Sequence, residues 1–248
     1  MPTKRKRLFF DIETSPGVYW AWRPGFNINL SYKNLIKEPA VICVSWKWEG
    51  QKKIHHTTWD KNQCDKALLK KFIPVMLEAD EVCGHNSDNF DIKWLRTRCL
   101  KHEIPMPPTF QSIDTWKQAK TYFNFNSNSL DYITKFLGLR GKRETGGSKL
   151  WVDITFNKCK TSMAKMVAYC DQDVDQQSQV FARFMPYVPV RSHFGPSVGS
   201  CPECGSGRVH VKSYPITAQG TKKVQFQCQE CGKYHSMARS RFEKDKAV

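Results

Sequence analysis

After a short basic arm the chain opens on an apolar run that ends in acids, LFFDIET, residues Leu8 to Thr14. Such a run reads as a strand. Side chains alternate along a strand, so Asp11 and Glu13 share one face and Ile12 points to the other. Ala40–Trp48 (AVICVSWKW) is β-branched and almost continuously apolar. Lys52–Trp59 follows it across Glu49-Gly50-Gln51, and the two read as a hairpin beside the first strand. CDKALLKKFIPVMLEAD carries helical spacing up to Pro74, where an interruption is expected. EVCGHN is a short strand ending in a loop. FDIKWLRTRCLKHEI is helical and closed by Pro105, and SLDYITKFLGL is a short helix stopped by Gly138. TSMAKMVAYCDQDVDQQSQVFARFM reads as a long helix ended by Pro186.

Strands first, then alternating strands and helices, give an α/β class: a mixed sheet flanked by helices. Pro186, Pro189, Gly195, Pro196 and Gly199 then punctuate a linker, and the composition changes after it. The expected organisation is a large domain over residues 1–190, a linker over 191–200 and a small domain over 201–248.

Charge adds a partner to this picture. The formal net charge is +16, of which +6 falls from Arg191 onward and +10 before it. An excess of this size on both parts points to a polyanion such as nucleic acid. No stretch approaches the roughly 20 apolar residues of a membrane helix. The N-terminus lacks the apolar core of a secretory signal. Six of the ten cysteines are scattered without framework spacing, which suggests a reducing, cytoplasmic setting.

Two like charges on one strand face resist ionising together, and a bound cation relieves them. Further acids could join Asp11 and Glu13. Asp91 opens a helix, where the N-terminal dipole favours a carboxylate. Tyr169 and Asp173 are four apart on the long helix and share a face. Asp171 and Asp175 lie on another side of that helix. Asp88 falls in a loop, and Asp114 sits where helix caps are common. These four are set aside, and His85 reads as a loop histidine.

The three acidic stretches resemble the motifs of a DEDD-type 3′–5′ exonuclease of the DnaQ-like group, within the ribonuclease-H-like fold. FDIET resembles the DxE motif. Asn86-Ser-Asp-Asn-Phe90-Asp91 resembles Nx3(F/Y)D, and Tyr169-Cys-Asp-Gln-Asp173 resembles the tyrosine form, Yx3D. The histidine form would need His at 168, where this chain has Ala. The chain is thus similar to the DEDDy subclass, which includes proofreading domains of family B polymerases. The resemblance implies two Mg²⁺ or Mn²⁺ ions roughly 4 Å apart on the scissile phosphate. It implies that Asp11 bridges both, that Glu13 and Asp173 complete one site, and that Asp91 serves the other. Tyr169 would orient the attacking water, since a phenol with a pKa near about 10 is a poor base at neutral pH. Asn86 and Phe90 would line the site.

Leu139–Trp151 is basic and glycine-rich, without the lysine placement of a P-loop. It reads as a solvated loop in which Arg140, Lys142, Arg143 and Lys149 could contact phosphates. Near the end, Cys201-x2-Cys204 and Cys228-x2-Cys231 are each followed by Gly, with 23 residues between the pairs. Four thiolates with room for one hairpin between them point to a closed, structural Zn²⁺ site that resembles a zinc ribbon. Its basic residues, with Tyr214, Phe226 and Tyr234 among them, suit single-strand binding. They also suit docking to a replication or repair protein. The reading is a metal-dependent 3′–5′ exonuclease releasing nucleoside 5′-monophosphates, with single-stranded DNA the favoured substrate and RNA possible. A 3′–5′ exoribonuclease, a structure-specific endonuclease and an inactive nucleic-acid-binding adaptor are the rival readings.

Overall fold

The computed structural model describes residues 5–23, 25, 27–139, 147–190, 192–193 and 195–246. In chain order the elements of the first part are β1 (Arg7–Thr14), β2 (Val18–Tyr19), β3 (Leu35–Lys37), β4 (Val41–Trp48), β5 (His55–Thr58), α1 (Lys66–Leu77) and β6 (Glu81–Gly84). Then come α2 (Asp91–His102), β7 (Ser112–Asp114), α3 (Thr115–Tyr122), α4 (Leu130–Phe136), α5 (Lys149–Thr155) and α6 (Lys160–Phe184). The last elements are β8 (Val209–Ser213), β9 (Lys223–Cys228), β10 (Tyr234–Ala238) and α7 (Arg239–Lys246).

The main sheet has the order β5-β4-β1-β6-β7. β1 runs antiparallel to β4, from Leu8 opposite Trp48 to Thr14 opposite Val41, and parallel to β6 on its other edge. The expected hairpin is present as β4 and β5. Leu8, Phe10 and Ile12 pack with Leu68, Leu69, Phe72, Ile92 and Leu95 of α1 and α2 on one face. On the other face Ile42 and Cys43 pack with Leu150 and Ile154 of α5 and Met166 and Cys170 of α6. β4 is covered on both sides, so its sequence is continuously apolar rather than alternating. The sheet is mixed and flanked by helices, as the sequence pattern implied.

Two local expectations are corrected. α1 does not break at Pro74 but runs on to Leu77. Pro74 lies on the exposed side of the helix, while Phe72, Ile73 and Met76 are buried beside it. There the carbonyl that loses its amide partner faces water, which softens the cost of an interior proline. The basic loop also ends earlier than expected. Lys149 to Trp151 form the first turn of α5, because Leu150 and Ile154, four apart, bury on one face. Arg140, Lys142 and Arg143 lie outside the described residues.

Among the described residues, Arg5, Gln118–Asn124 and those from Gln179 on form one compact unit, and the rest form the other. The C-terminal unit therefore begins within α6, upstream of the proline-rich stretch. Phe123 stacks on Phe184 with ring centroids 4.5 Å apart, which ties these segments together. Lys233 Nζ donates to the Met185 carbonyl, and Arg5 pairs with Glu203 at 3.1 Å. β8, β9 and β10 make a three-stranded antiparallel sheet with β9 in the centre. The hairpin turn at Gly220 has φ +80°, which suits glycine. The third strand, β10, is additional to the expected hairpin.

Candidate active site and cysteine cluster

β1 delivers Asp11 and Glu13 on the face covered by α6. Both edges of β1 are hydrogen-bonded to neighbours, so its register is pinned, and slipping by one residue would turn the acids to the wrong face. α6 is fixed to this strand at two points. Gln177 Nε2 donates to the Phe10 carbonyl at 2.7 Å, and Cys170 Sγ stands 3.4 Å from the Asp11 carbonyl and 3.5 Å from Asp11 Oδ2. Tyr169 and Asp173, four apart on α6, are placed on the same helix face beside it.

Carboxylate oxygens of Asp11, Glu13 and Asp173 lie within 4.8 Å of one another. Asp91, the first residue of α2, joins them: the Ile12 N–H donates to its Oδ1 at 3.1 Å. The electrostatics record the crowding. Burial holds the Asp11 carboxyl well above the usual carboxylate range, and the charges of Asp91, Asp173 and Glu13 push it further in the same direction. Asp91 is 3% exposed and its pKa is pushed up to about 7, chiefly by burial, against the N–H groups that favour its charge. A hard divalent cation takes oxygen ligands of this kind and would remove the repulsion, so the donor set fits such an ion.

The loop before Asp91 has its own supports. Asn86 adopts a left-handed backbone, φ 62°, and its carbonyl accepts from Phe90 N–H at 3.1 Å. The Asn86 N–H donates to Asp114 Oδ1 at 2.8 Å, and the same oxygen accepts from Trp116 N–H at 2.9 Å. Asp114 thus ties the start of α3 to this loop and acts as a cap. Phe90 is 40% exposed and packs against Trp94, so it is not a core residue. His85 bridges Thr115 Oγ1 and the Asn128 carbonyl, both at 2.9 Å, as a structural histidine does. Asp171 accepts from Ser45 Oγ at 2.6 Å, and Asp175 pairs with Lys47 at 2.8 Å. Both are used in fixing α6 to β4. Asp88 pairs with Lys117 at 2.8 Å. Lys149 is exposed at the start of α5.

Sequence reasoning did not find a second buried cluster. Asp65, fully buried, accepts from Arg98 through both carboxylate oxygens at 2.7 and 2.9 Å, from His102 at 2.7 Å and from the Val41 N–H at 3.0 Å. Burial alone would raise its pKa, but Arg98, Val41 and His102 outweigh that and lower it. Cys64 lies close enough to complete a ligand trio with Asp65 and His102. The guanidinium already supplies the positive charge there, which makes this a structural ion pair.

The four C-terminal cysteines converge, with all Sγ atoms within 4.8 Å of one another. Cys201 and Cys231 are 3.7 Å apart, and Cys204 and Cys228 3.6 Å. Disulfide sulfurs stand about 2.05 Å apart. Four thiolates at about 2.3 Å from a central metal in a tetrahedron stand about 3.8 Å apart, close to what is seen. Gly205 and Gly232, both at positive φ, close the two turns by donating to the Cys201 and Cys228 carbonyls. Burial raises the pKa of Cys228, but the N–H groups of Cys231 and Glu230 outweigh it, so the net shift is down. Burial pushes Cys204 up to about 11. Phe226 is not available for stacking on a strand, contrary to the sequence reading. On β9 the inward positions are Val224, Phe226 and Cys228, and Phe226 is buried against His235 and Phe242. Tyr214 stays exposed, with Arg239 over its ring at 5.3 Å.

The sheet, its flanking helices and the acidic face define an α/β domain of the ribonuclease H type. A model of the RNase_H superfamily matches residues 36–185, and the chain belongs to that family. The match begins beyond Asp11 and Glu13, which β1 brings to the same face through its pairing with β4 and β6. Among solved structures, the chain is similar to the family B DNA polymerase from the hyperthermophilic archaeon Pyrobaculum calidifontis, with a TM-score of 0.56 and 15% identity. That similarity covers 73% of this chain and 25% of the polymerase, and it shows the fold alone. No curated protein matches the sequence. Among the described residues no helix is long and apolar enough to cross a membrane. Family membership, with an acidic cluster fit for divalent metal, supports a nuclease.

Proposed function

We propose that the chain is a metal-dependent 3′–5′ exonuclease acting on single-stranded DNA. In this reading a nuclease domain over residues 1–190 is joined through 191–200 to a zinc ribbon over 201–248. The observation that carries it is the convergence of Asp11, Glu13 and Asp173 with Asp91 beside them, from three separate elements. The direction of attack rests on the resemblance of the three motifs to the DEDDy pattern. Asp11, Glu13, Asp91 and Asp173 would hold two Mg²⁺ or Mn²⁺ ions, which supply charge neutralisation at the phosphate and a more acidic water.

The remaining work belongs to the chain. The pinned register of β1 keeps the two strand carboxylates rigid, so no reorganisation is needed when substrate arrives. Tyr169 orients the attacking water through its hydroxyl. Asn86 and Phe90 hold the 3′ end, and Lys149 meets the phosphate backbone. Cys201, Cys204, Cys228 and Cys231 hold one Zn²⁺ as a staple for a small sheet that has little core of its own. The exposed Tyr214 and Tyr234, with Arg239 and Arg241, give that sheet a nucleic-acid surface.

The test is incubation with 5′-labelled single-stranded DNA and the matching RNA, each with Mg²⁺, Mn²⁺ or EDTA. Asp11→Ala and Asp173→Ala proteins run alongside. A ladder shortening from the 3′ end, absent in EDTA and with either substitution, is the expected result. Faster loss of RNA would make the enzyme an exoribonuclease. Internal cuts, or a ladder that survives either substitution, would overturn the reading.

A further inference from the structure

Between β1 and β4 the chain makes an excursion that leaves at Ser15 and returns at Ala40. The two ends are clasped: Ser15 N–H donates to the Ala40 carbonyl at 2.8 Å, and Ala40 N–H donates to Ser15 Oγ at 2.9 Å. The clasp stands two residues beyond Glu13. Within the excursion, β2 and β3 pair, and Ser31 and Asn34 form a reciprocal cap around one short turn. The Asn34 side chain also donates to the Trp20 carbonyl at 3.4 Å. The excursion is therefore held in shape, yet its large side chains face outward. Trp22 is 92% exposed and Tyr32 80%, and Trp20, Ile28 and Leu30 are also exposed. Single exposed apolar residues are ordinary, but a contiguous patch of this kind marks a binding surface.

The patch includes a cavity of about 550 Å³. Trp22, Arg23, Asn27, Ile28, Asn29 and Leu30 line it. Among the described residues nothing pairs with the Arg23 guanidinium or with the Asn27 and Asn29 amides. A π face, a free cation and two amides able both to donate and to accept match the parts of a nucleotide: base plane, phosphate and base edge. The charge is one-sided too. From Ser15 to Ala40 the one acid is Glu38, against Arg23, Lys33 and Lys37, and Lys37 is turned to Gln63 and Trp59. A second copy of a chain with net charge +16 would meet like charge here, whereas a nucleic-acid strand would meet its complement.

We propose that this cavity takes an unpaired nucleotide of the substrate strand, stacked on Trp22 with its phosphate on Arg23. The inference rests on the nuclease reading for the identity of its strand, but it can be tested apart from it. A duplex buries its base faces, so the cavity selects single strands.

The experiment measures the affinity of a fluorescein-labelled ten-nucleotide oligothymidylate and of a blunt duplex by anisotropy. Omitting Mg²⁺ and Mn²⁺, with no chelator that would strip the cysteine-bound Zn²⁺, makes the readout independent of cleavage. Trp22→Ala should weaken the single strand about tenfold or more, the range for loss of one base–aromatic stack, and the duplex less than twofold. Arg23→Gln should weaken the single strand and flatten its salt dependence. Equal losses on both ligands, or none, would overturn the proposal. So would a thymidine mononucleotide competing as well as the oligomer, which would make this a free-nucleotide site. A wild-type dimer that Trp22→Ala dissociates in sedimentation would overturn it as well, assigning the patch to a second copy. Absence of cleavage with the strand-selective loss intact would sink the nuclease reading and leave this site standing.

Discussion

Replacing Asp91 by Asn should stabilise the metal-free protein at alkaline pH while abolishing cleavage. Asp91 is 3% exposed and its pKa stands at about 7, against 3.8 for an unperturbed group. Below pH 3.8 the side chain is protonated in both states and its folded environment suits it. Between pH 4 and 7 the folded protein holds a proton that the unfolded chain has released, so stability falls as pH rises through about 7. Above that, the buried charge costs at most about 4 kcal/mol. Asn is neutral throughout, and its Oδ1 can still accept the 3.1 Å bond from the Ile12 N–H. It also removes one of the charges that raise the Asp11 pKa. If half of the cost is recovered, the melting temperature in EDTA at pH 8.5 rises by about 4–8 °C. At pH 4 the two proteins should melt together. Scanning calorimetry in EDTA at both values decides it. With saturating Mg²⁺ the order should reverse, because ligand bound 100-fold above its Kd adds about 2.7 kcal/mol to the wild type alone. A variant melting at or below the wild type in EDTA at pH 8.5, or a gain that does not depend on pH, refutes the argument that crowded burial sets the state of this carboxylate.

Tyr169→Phe should keep metal binding by calorimetric titration and lower turnover by about 100-fold, as misplacement of a reacting group can. Arg98→Ala strands the buried Asp65 carboxylate and should cost about 3–5 kcal/mol in urea unfolding, with Asp65→Asn in the same background recovering part of it. Cys204→Ser should abolish the binding of one Zn²⁺ per chain by metal analysis and expose the C-terminal unit to proteolysis, while the unit of residues 6–117 and 125–178 stays folded. Gly84→Ala places a methyl group 2.3 Å from Ser87 Cβ and 2.6 Å from its hydroxyl, just before the Asn86 turn. It should destabilise by about 1–3 kcal/mol and slow cleavage, because Ser87 must shift and the approach to Asp91 shifts with it.

The acidic face was legible because its rules are local. Strand alternation pairs Asp11 with Glu13, four-residue spacing pairs Tyr169 with Asp173, and a helix start places Asp91. The cysteine pairs were legible for the same reason. What escaped depends on contacts between distant segments. Asp65 shows nothing in sequence until Arg98 and His102, a helix away, are brought to it. β7 and β10 are only three and five residues long, and each is defined by its pairing partner. Pro74 reads as a helix stop, but the buried face of Phe72, Ile73 and Met76 outweighs one missing amide. Phe226 reads as an exposed aromatic until the alternation of β9 turns it inward. The excursion after Ser15 carries no helical or strand periodicity in its sequence, because its form comes from a clasp and a cap.

That clasp separates two jobs within one strand pair. β1 and β4 are held together by their own ladder, and Ser15 and Ala40 close the loop at its base, so the carboxylates do not depend on what the loop contains. The entropy of closing a loop grows only as the logarithm of its length, about 0.6 kcal/mol for each doubling. Residues 16–39 can therefore be lengthened, shortened or exchanged with little penalty to the sheet. In the reading proposed above, what the loop binds can change while the acidic face stays the same. A loop grafted between these two residues is a route to changing what this fold holds without rebuilding its acidic face.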